Sequence, residues 1–156
     1  MEILMPDGNH FKIEYLVLDF NGTIAKDGVL LDGVAERLWE IAKQEVKIFI
    51  VTADTNGSVS QQCGKLPVEI KIHHGQDIAE RKQELLCFLG PDVTAAVGNG
   101  KNDLQMLKES KLAITVFGAE GCFAPNFAVS DVVVNDILDA LDLFIHQNRL
   151  TATLRS

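Results

Sequence analysis

The stretch Tyr15-Leu16-Val17-Leu18-Asp19-Phe20-Asn21-Gly22-Thr23 runs an apolar, β-type segment straight into a carboxylate and a glycine turn. Open α/β sheets carry their chemistry at the carboxyl ends of strands, so Asp19 sits where a reacting group belongs. One strand-end aspartate is commonplace, but the chain repeats the arrangement. Thr52-Ala53-Asp54 follows the run Val46-Lys47-Ile48-Phe49-Ile50-Val51, and Gly98-Asn99-Gly100-Lys101-Asn102-Asp103 follows Thr94-Ala95-Ala96-Val97. Lys82 opens the helical stretch between the second and third of these junctions.

Working outward, β-rich runs fall at 15–19, 46–51, 69–72, 94–97, 113–116 and 132–134. Between them, Val34, Leu38, Ile41 and Ala42 recur at helical spacing, as do Leu85, Leu86 and Leu89, then Ile137, Leu138, Leu141 and Phe144. Alternation of this kind predicts a doubly wound parallel sheet with helices on both faces, a three-layer α/β/α arrangement. The later runs are apolar almost throughout, as strands covered on both sides are. Segments 2–4 and 11–13 flank Pro6-Asp7-Gly8-Asn9 and read as an N-terminal β-hairpin. Trp39 and Phe49 fall at core positions, Glu36, Arg37, Glu40 and Lys43 form a solvated helix face, and 149–156 reads as a fraying end.

The 156 residues suffice for one domain, 1–156, with an ample core. A hydrophobic content of 47% against 23% charged residues excludes a disordered chain. The longest apolar runs fall well short of the roughly 20 residues that span a bilayer, and the first residues carry no secretory pattern. A cytoplasmic protein without a membrane partner is therefore expected. The net charge of −8 gives no footprint for nucleic acid, whose phosphates call for a basic face. Cys63, Cys87 and Cys122 are odd in number and form no CxxC pair, so core or surface thiols are expected rather than disulfides or a zinc site. The adjacent His73 and His74 have no third ligand in view and read as ordinary histidines.

Taken in order, the four junctions resemble the motifs of the haloacid dehalogenase (HAD) superfamily, and within it the phosphorylation domain of P-type ATPases, where they read DKTGT, TGD, a lysine and GDGxND. The stretch 132–154 also resembles small stand-alone proteins called soluble P-type-ATPase-like. The resemblance implies a HAD-like domain with segment 15–19 as the central strand and a motif-bearing strand on either side of it. It implies a magnesium-dependent phosphohydrolase or phosphoryl acceptor in which Asp19 forms an aspartyl phosphate. Thr52, Ala53, Lys82, Asn102, Gly22 and Thr23 match positions that hold the phosphate or orient Asp19. Asp19, the Asn21 main-chain carbonyl, Asp103 and Asn99 match the metal positions. Asp54 matches the TGD acid, with a helix-capping role as the alternative.

Only 28 residues, 24–51, separate the first two motifs, and 53–81 has room for a helix and a short strand. Neither interval holds a cap or a nucleotide-binding domain, so an open site is expected, closed by self-association or by a macromolecular substrate if not used on small phosphates. Two residues depart from the pattern. Asn21 stands where HAD phosphatases usually carry a second Asp serving as general acid and base, and an amide does neither. Asn99 replaces the first Asp of GDGxND, removing a charged metal ligand. Slow turnover follows from both changes; a degenerate binding or regulatory module is the alternative.

Overall fold

Strand-forming runs with apolar residues on both faces must be covered on both faces, and that requirement organises this chain. The computed structural model describes residues 1–4, 10–53 and 57–155. In chain order its strands are β1 (Glu2–Leu4), β2 (His10–Lys12), β3 (Tyr15–Leu18), β4 (Ala25–Lys26), β5 (Val29–Leu30), β6 (Lys47–Thr52), β7 (Val68–Ile72), β8 (Thr94–Gly98), β9 (Leu112–Val116) and β10 (Val132–Val134). The helices are α1 (Val34–Ala42), α2 (Ser58–Cys63), α3 (Ile78–Leu89), α4 (Leu104–Glu109), α5 (Ile137–Ile145) and α6 (Gln147–Leu154).

Six strands form one parallel sheet in the order β10-β9-β8-β3-β6-β7. The central position of β3, between the strands that lead into the other two motifs, is the arrangement the sequence implied. Alternate residues feed two cores. Leu16, Leu18, Ile48, Ile50, Ala95 and Val97 point to the face covered by α1 and α5. Val17, Phe49, Val51 and Ala96 point to the face covered by α3 and α4, against Leu86, Met106 and Leu107. Asp136 starts α5 by accepting the Leu138 N–H at 2.7 Å, an N-cap that satisfies one of the helix's orphan donors.

Several local expectations change in three dimensions. Trp39 is about half exposed, at 49%, because α1 already buries Val34, Leu38 and Ile41 and leaves the indole outside that stripe. Arg37 is not simply solvated: its guanidinium crosses from α1 to Asp142 on α5, with Nε 2.7 Å from Oδ1. The end of the chain does not fray from 149. It forms α6, anchored by the fully buried Leu150, since the preceding α5 delivers it onto the core. The first hairpin pairs 2–4 with 10–12, one residue earlier than read, while its turn at 6–9 lies outside the described residues, as does Asp54.

A second hairpin, β4 to β5, was not foreseen. Asp27 and Gly28 both have positive φ, 51° and 77°, the conformation of a two-residue turn that Asp-Gly favours. Its strands are two residues each, too short to show alternation in sequence. Among the described residues no helix is long and apolar enough to cross a membrane. The three cysteines are free, Cys63 buried, Cys87 exposed and Cys122 between the two.

Candidate active site

The site forms where β3, β6 and β8 end. Leu18 pairs with Ile50 on one side and Val97 on the other, so the residues just beyond converge. Asp19 still donates its N–H to the Val97 carbonyl at 3.0 Å, which fixes the start of the turn to the sheet. The Phe20 carbonyl then accepts from Thr23, Ile24 and Ala25, reversing the chain tightly. Gly22 is required there on two counts. Its φ is 80°, and a Cβ would overlap the side-chain amide of Asn99.

The reversal brings Thr23 back to its own motif. Its hydroxyl lies 3.2 Å from Asp19 Oδ2 and 3.2 Å from Asn99 Oδ1. A hydroxyl has one proton to donate, so Asp19 and Asn99 share it. Asn99 donates in turn to the Gly121 carbonyl at 3.0 Å, which settles the orientation of its amide. The Asn21 Oδ1 accepts the Gly28 N–H at 3.0 Å, tying the first motif to the β4–β5 turn. That turn is held from the other side by Glu120, which accepts the Asp27 N–H at 3.1 Å.

Lys82 is the electrostatic centre. It projects from the buried face of α3, one turn before Leu86, and is fully buried. An ammonium has three donors, and three acceptors surround it: Asp19 Oδ1 at 2.6 Å, Asp103 Oδ1 at 2.6 Å and Asn102 Oδ1 at 3.3 Å. Burial opposes its charge, but Asp19 and Asp103 more than offset that and hold its pKa above the ordinary lysine range. Two carboxylates against one cation leave an excess negative charge. Burial and the nearby Asp19 push the Asp103 carboxyl up to about 6, against the pull of Lys82.

Asp103 also closes the motif loop on itself. Its Oδ2 accepts the N–H groups of Asn99 at 3.0 Å and Gly100 at 2.8 Å, and a Cβ on Gly98 would overlap its carboxyl group. Its carboxylate, wholly buried, is taken up by Lys82 and the loop amides, because a charge without water needs donors from the protein. Thr52 ends β6, buried at 4% exposure, while Ala53 is half-buried beside it.

The oxygens linked around Asp19 suit a hard divalent cation: its own carboxylate and, through the shared Thr23 hydroxyl, the Asn99 amide, with Asp103 across Lys82. Magnesium commonly takes one or two carboxylates and completes its shell with substrate oxygens and water, so the set fits. It fits with little charge. Among the described residues no three His, Cys, Asp or Glu side chains gather in a metal-binding group.

No family model matches the sequence. Over 60 residues the chain is 52% identical to the uncharacterized protein MJ0073 of Methanocaldococcus jannaschii, covering 38% of this chain and 64% of that one. Over 123 residues it is 25% identical to the soluble P-type ATPase-like phosphatase of the same organism, covering 78% of this chain and 45% of that one. The matches thus span less than two thirds of either relative. In three dimensions, 3-deoxy-D-manno-octulosonate 8-phosphate phosphatase from Moraxella catarrhalis, crystallised with magnesium, phosphate and KDO, has a TM-score of 0.73 at 17% identity, covering 92% of this chain and 94% of that one. The architecture is the HAD-type fold.

Sequence reading missed the segment 118–126 as part of the site. Its Phe123 N–H donates to the Asn99 carbonyl at 2.7 Å, and Asn126 donates to the Gly100 carbonyl at 2.9 Å. No motif marks these residues. Their role comes from contact alone.

Proposed function

We propose that the protein is a HAD-type phosphohydrolase with slow turnover that passes a phosphoryl group through Asp19. The observation that carries this reading is the Asp19 carboxylate at the end of the central strand, with Lys82 Nζ at 2.6 Å and the Thr23 hydroxyl at 3.2 Å. Lys82 offsets the repulsion between a carboxylate and an anionic phosphate, and Thr23 fixes the carboxylate plane. An Asp19 oxygen attacks phosphorus as the bond to the leaving oxygen breaks; that oxygen departs with the electron pair and takes its proton from solvent. Water then attacks the aspartyl phosphate, releasing phosphate and restoring the carboxylate.

Phosphoryl transfer depends chiefly on positioning and on charge placed against the equatorial oxygens. Thr52, Ala53, Asn102 and the turn at Gly22 and Thr23 are the groups proposed to hold them, with Lys82. Magnesium, held by Asp19 and the Asn21 carbonyl with Asn99 and Asp103 alongside, would neutralise charge on the phosphoryl oxygens. Asn21 supplies neither acid nor base, so breakdown of the phosphoenzyme lacks the roughly 10²–10⁴-fold that a positioned group contributes. The substrate class is a small phosphate ester, as the name of the structurally similar Moraxella phosphatase gives for that enzyme, or an acyl phosphate.

The test is to add beryllium fluoride or acetyl phosphate with saturating magnesium and look for an adduct on Asp19 by NMR and mass spectrometry. An adduct that vanishes in Asp19→Asn is expected. No adduct and no hydrolysis of acetyl phosphate would leave the binding-module reading in its place.

A further inference from the structure

Asn126 is wholly buried, yet only half of its amide is used. Nδ2 donates to the Gly100 carbonyl at 2.9 Å, whereas Oδ1 accepts no hydrogen bond among the described residues. An orphaned buried acceptor costs free energy, and a leucine of similar size would avoid that cost. What an apolar residue cannot do is hold Gly100. From that carbonyl a continuous chain of bonds reaches the nucleophile: the Gly100 N–H to Asp103 Oδ2, Asp103 Oδ1 to Lys82, and Lys82 to Asp19 Oδ1. The neighbouring Phe123 N–H fastens Asn99 in the same way.

From this arrangement we infer that Asn126 is a positioning residue for the phosphoryl-transfer site: it fixes the Gly100 peptide, and through Asp103 sets where Lys82 stands against Asp19. The inference rests on the phosphohydrolase reading for its kinetic consequence. Its structural consequence is independent of that reading.

Two variants test it. Asn126→Leu removes the donor and the orphaned acceptor together, so Tm should stay within about 4 °C of wild type. Its kcat on acetyl phosphate should fall roughly 10–100-fold with KM little changed, the penalty for a misplaced catalytic group. Asn126→Asp keeps the shape, and burial raises the pKa of the new carboxyl. While protonated it donates to Gly100 as the amide does; once ionised it cannot. Its pH–kcat profile should therefore show a falling limb, as pH rises, that wild type lacks. In parallel, the side-chain ¹⁵N signal of the buried Lys82 ammonium should shift or lose its protection from exchange in Asn126→Leu. Superimposable pH profiles, or an unaltered kcat and Lys82 signal in Asn126→Leu, would overturn the inference. If wild type shows no turnover, the phosphohydrolase reading fails, and the Lys82 signal alone decides the positioning role.

Discussion

In the proposed chemistry activity turns on Asn21 and Asn99, and each is already bonded through its side chain. Among the described residues Asn21 uses only its oxygen, accepting from Gly28; in Asn21→Asp one carboxylate oxygen should keep that bond and the β4–β5 turn, leaving the second to serve as acid and base toward the site. Hydrolysis of nitrophenyl phosphate should rise, by up to about 10²–10⁴-fold, and more for alkyl phosphates, whose poorer leaving groups need the proton. Adding Asp19→Asn should erase the gain; a gain that survives would mean that Asp19 is not the nucleophile. Asn99 uses both ends of its amide. In Asn99→Asp the second oxygen faces the Gly121 carbonyl that Nδ2 now serves. Magnesium affinity by titration calorimetry should therefore increase, while metal-free stability drops by about 1–3 kcal/mol for the unpaired acceptors. Unchanged affinity would place Asn99 away from the ion.

Between elements, the polar tie with the clearest energetic signature joins α1 to α5. Arg37 reaches both Asp142 oxygens, at 2.7 and 3.4 Å, and Arg149 of α6 adds a contact at 3.3 Å. Burial alone would raise the Asp142 carboxyl, but the Arg37 guanidinium outweighs it and holds the pKa below the usual carboxylate range. A depressed folded-state pKa means that the unfolded chain takes up the proton first. The stabilisation is thus present above the ordinary value of about 3.9 and fades as pH falls through the lower folded value. Asp142→Asn should cost about 1 kcal/mol at pH 7, measured from urea midpoints, and the gap between the two proteins should narrow below about pH 4. A gap that stays constant with pH would show that packing, not charge, makes the difference.

For the whole molecule, ligand linkage gives the broadest check. A cation that binds only the folded site at ten times its Kd adds about 1.4 kcal/mol, or roughly 3–6 °C in Tm for a chain of this size. Magnesium should raise Tm by that order at high concentration, a chelator should reverse it, and Asp19→Asn should abolish it. An equal rise in the variant would indicate nonspecific salt stabilisation. The weak charge around Asp19 sets the concentration needed in the millimolar range or above, since hard cations depend on carboxylate count.

The chain's order of elements was written locally, because period-two and helical apolar patterns report burial without reference to distant residues. So were the strand ends carrying Asp19, Thr52 and the 98–103 loop, since a strand–turn junction is a local event. The Asp27-Gly28 turn, by contrast, came only with the structure, because its two-residue strands are too short to show a pattern. Only the folded molecule decided partnership. Lys82 between Asp19 and Asp103, Arg37 across to Asp142, the exposed face of Trp39 and the grip of Asn126 on Gly100 all join residues far apart in sequence or depend on which face a neighbour covers. Periodicity says that a side chain is buried or exposed; it takes the packed sheet to say against what.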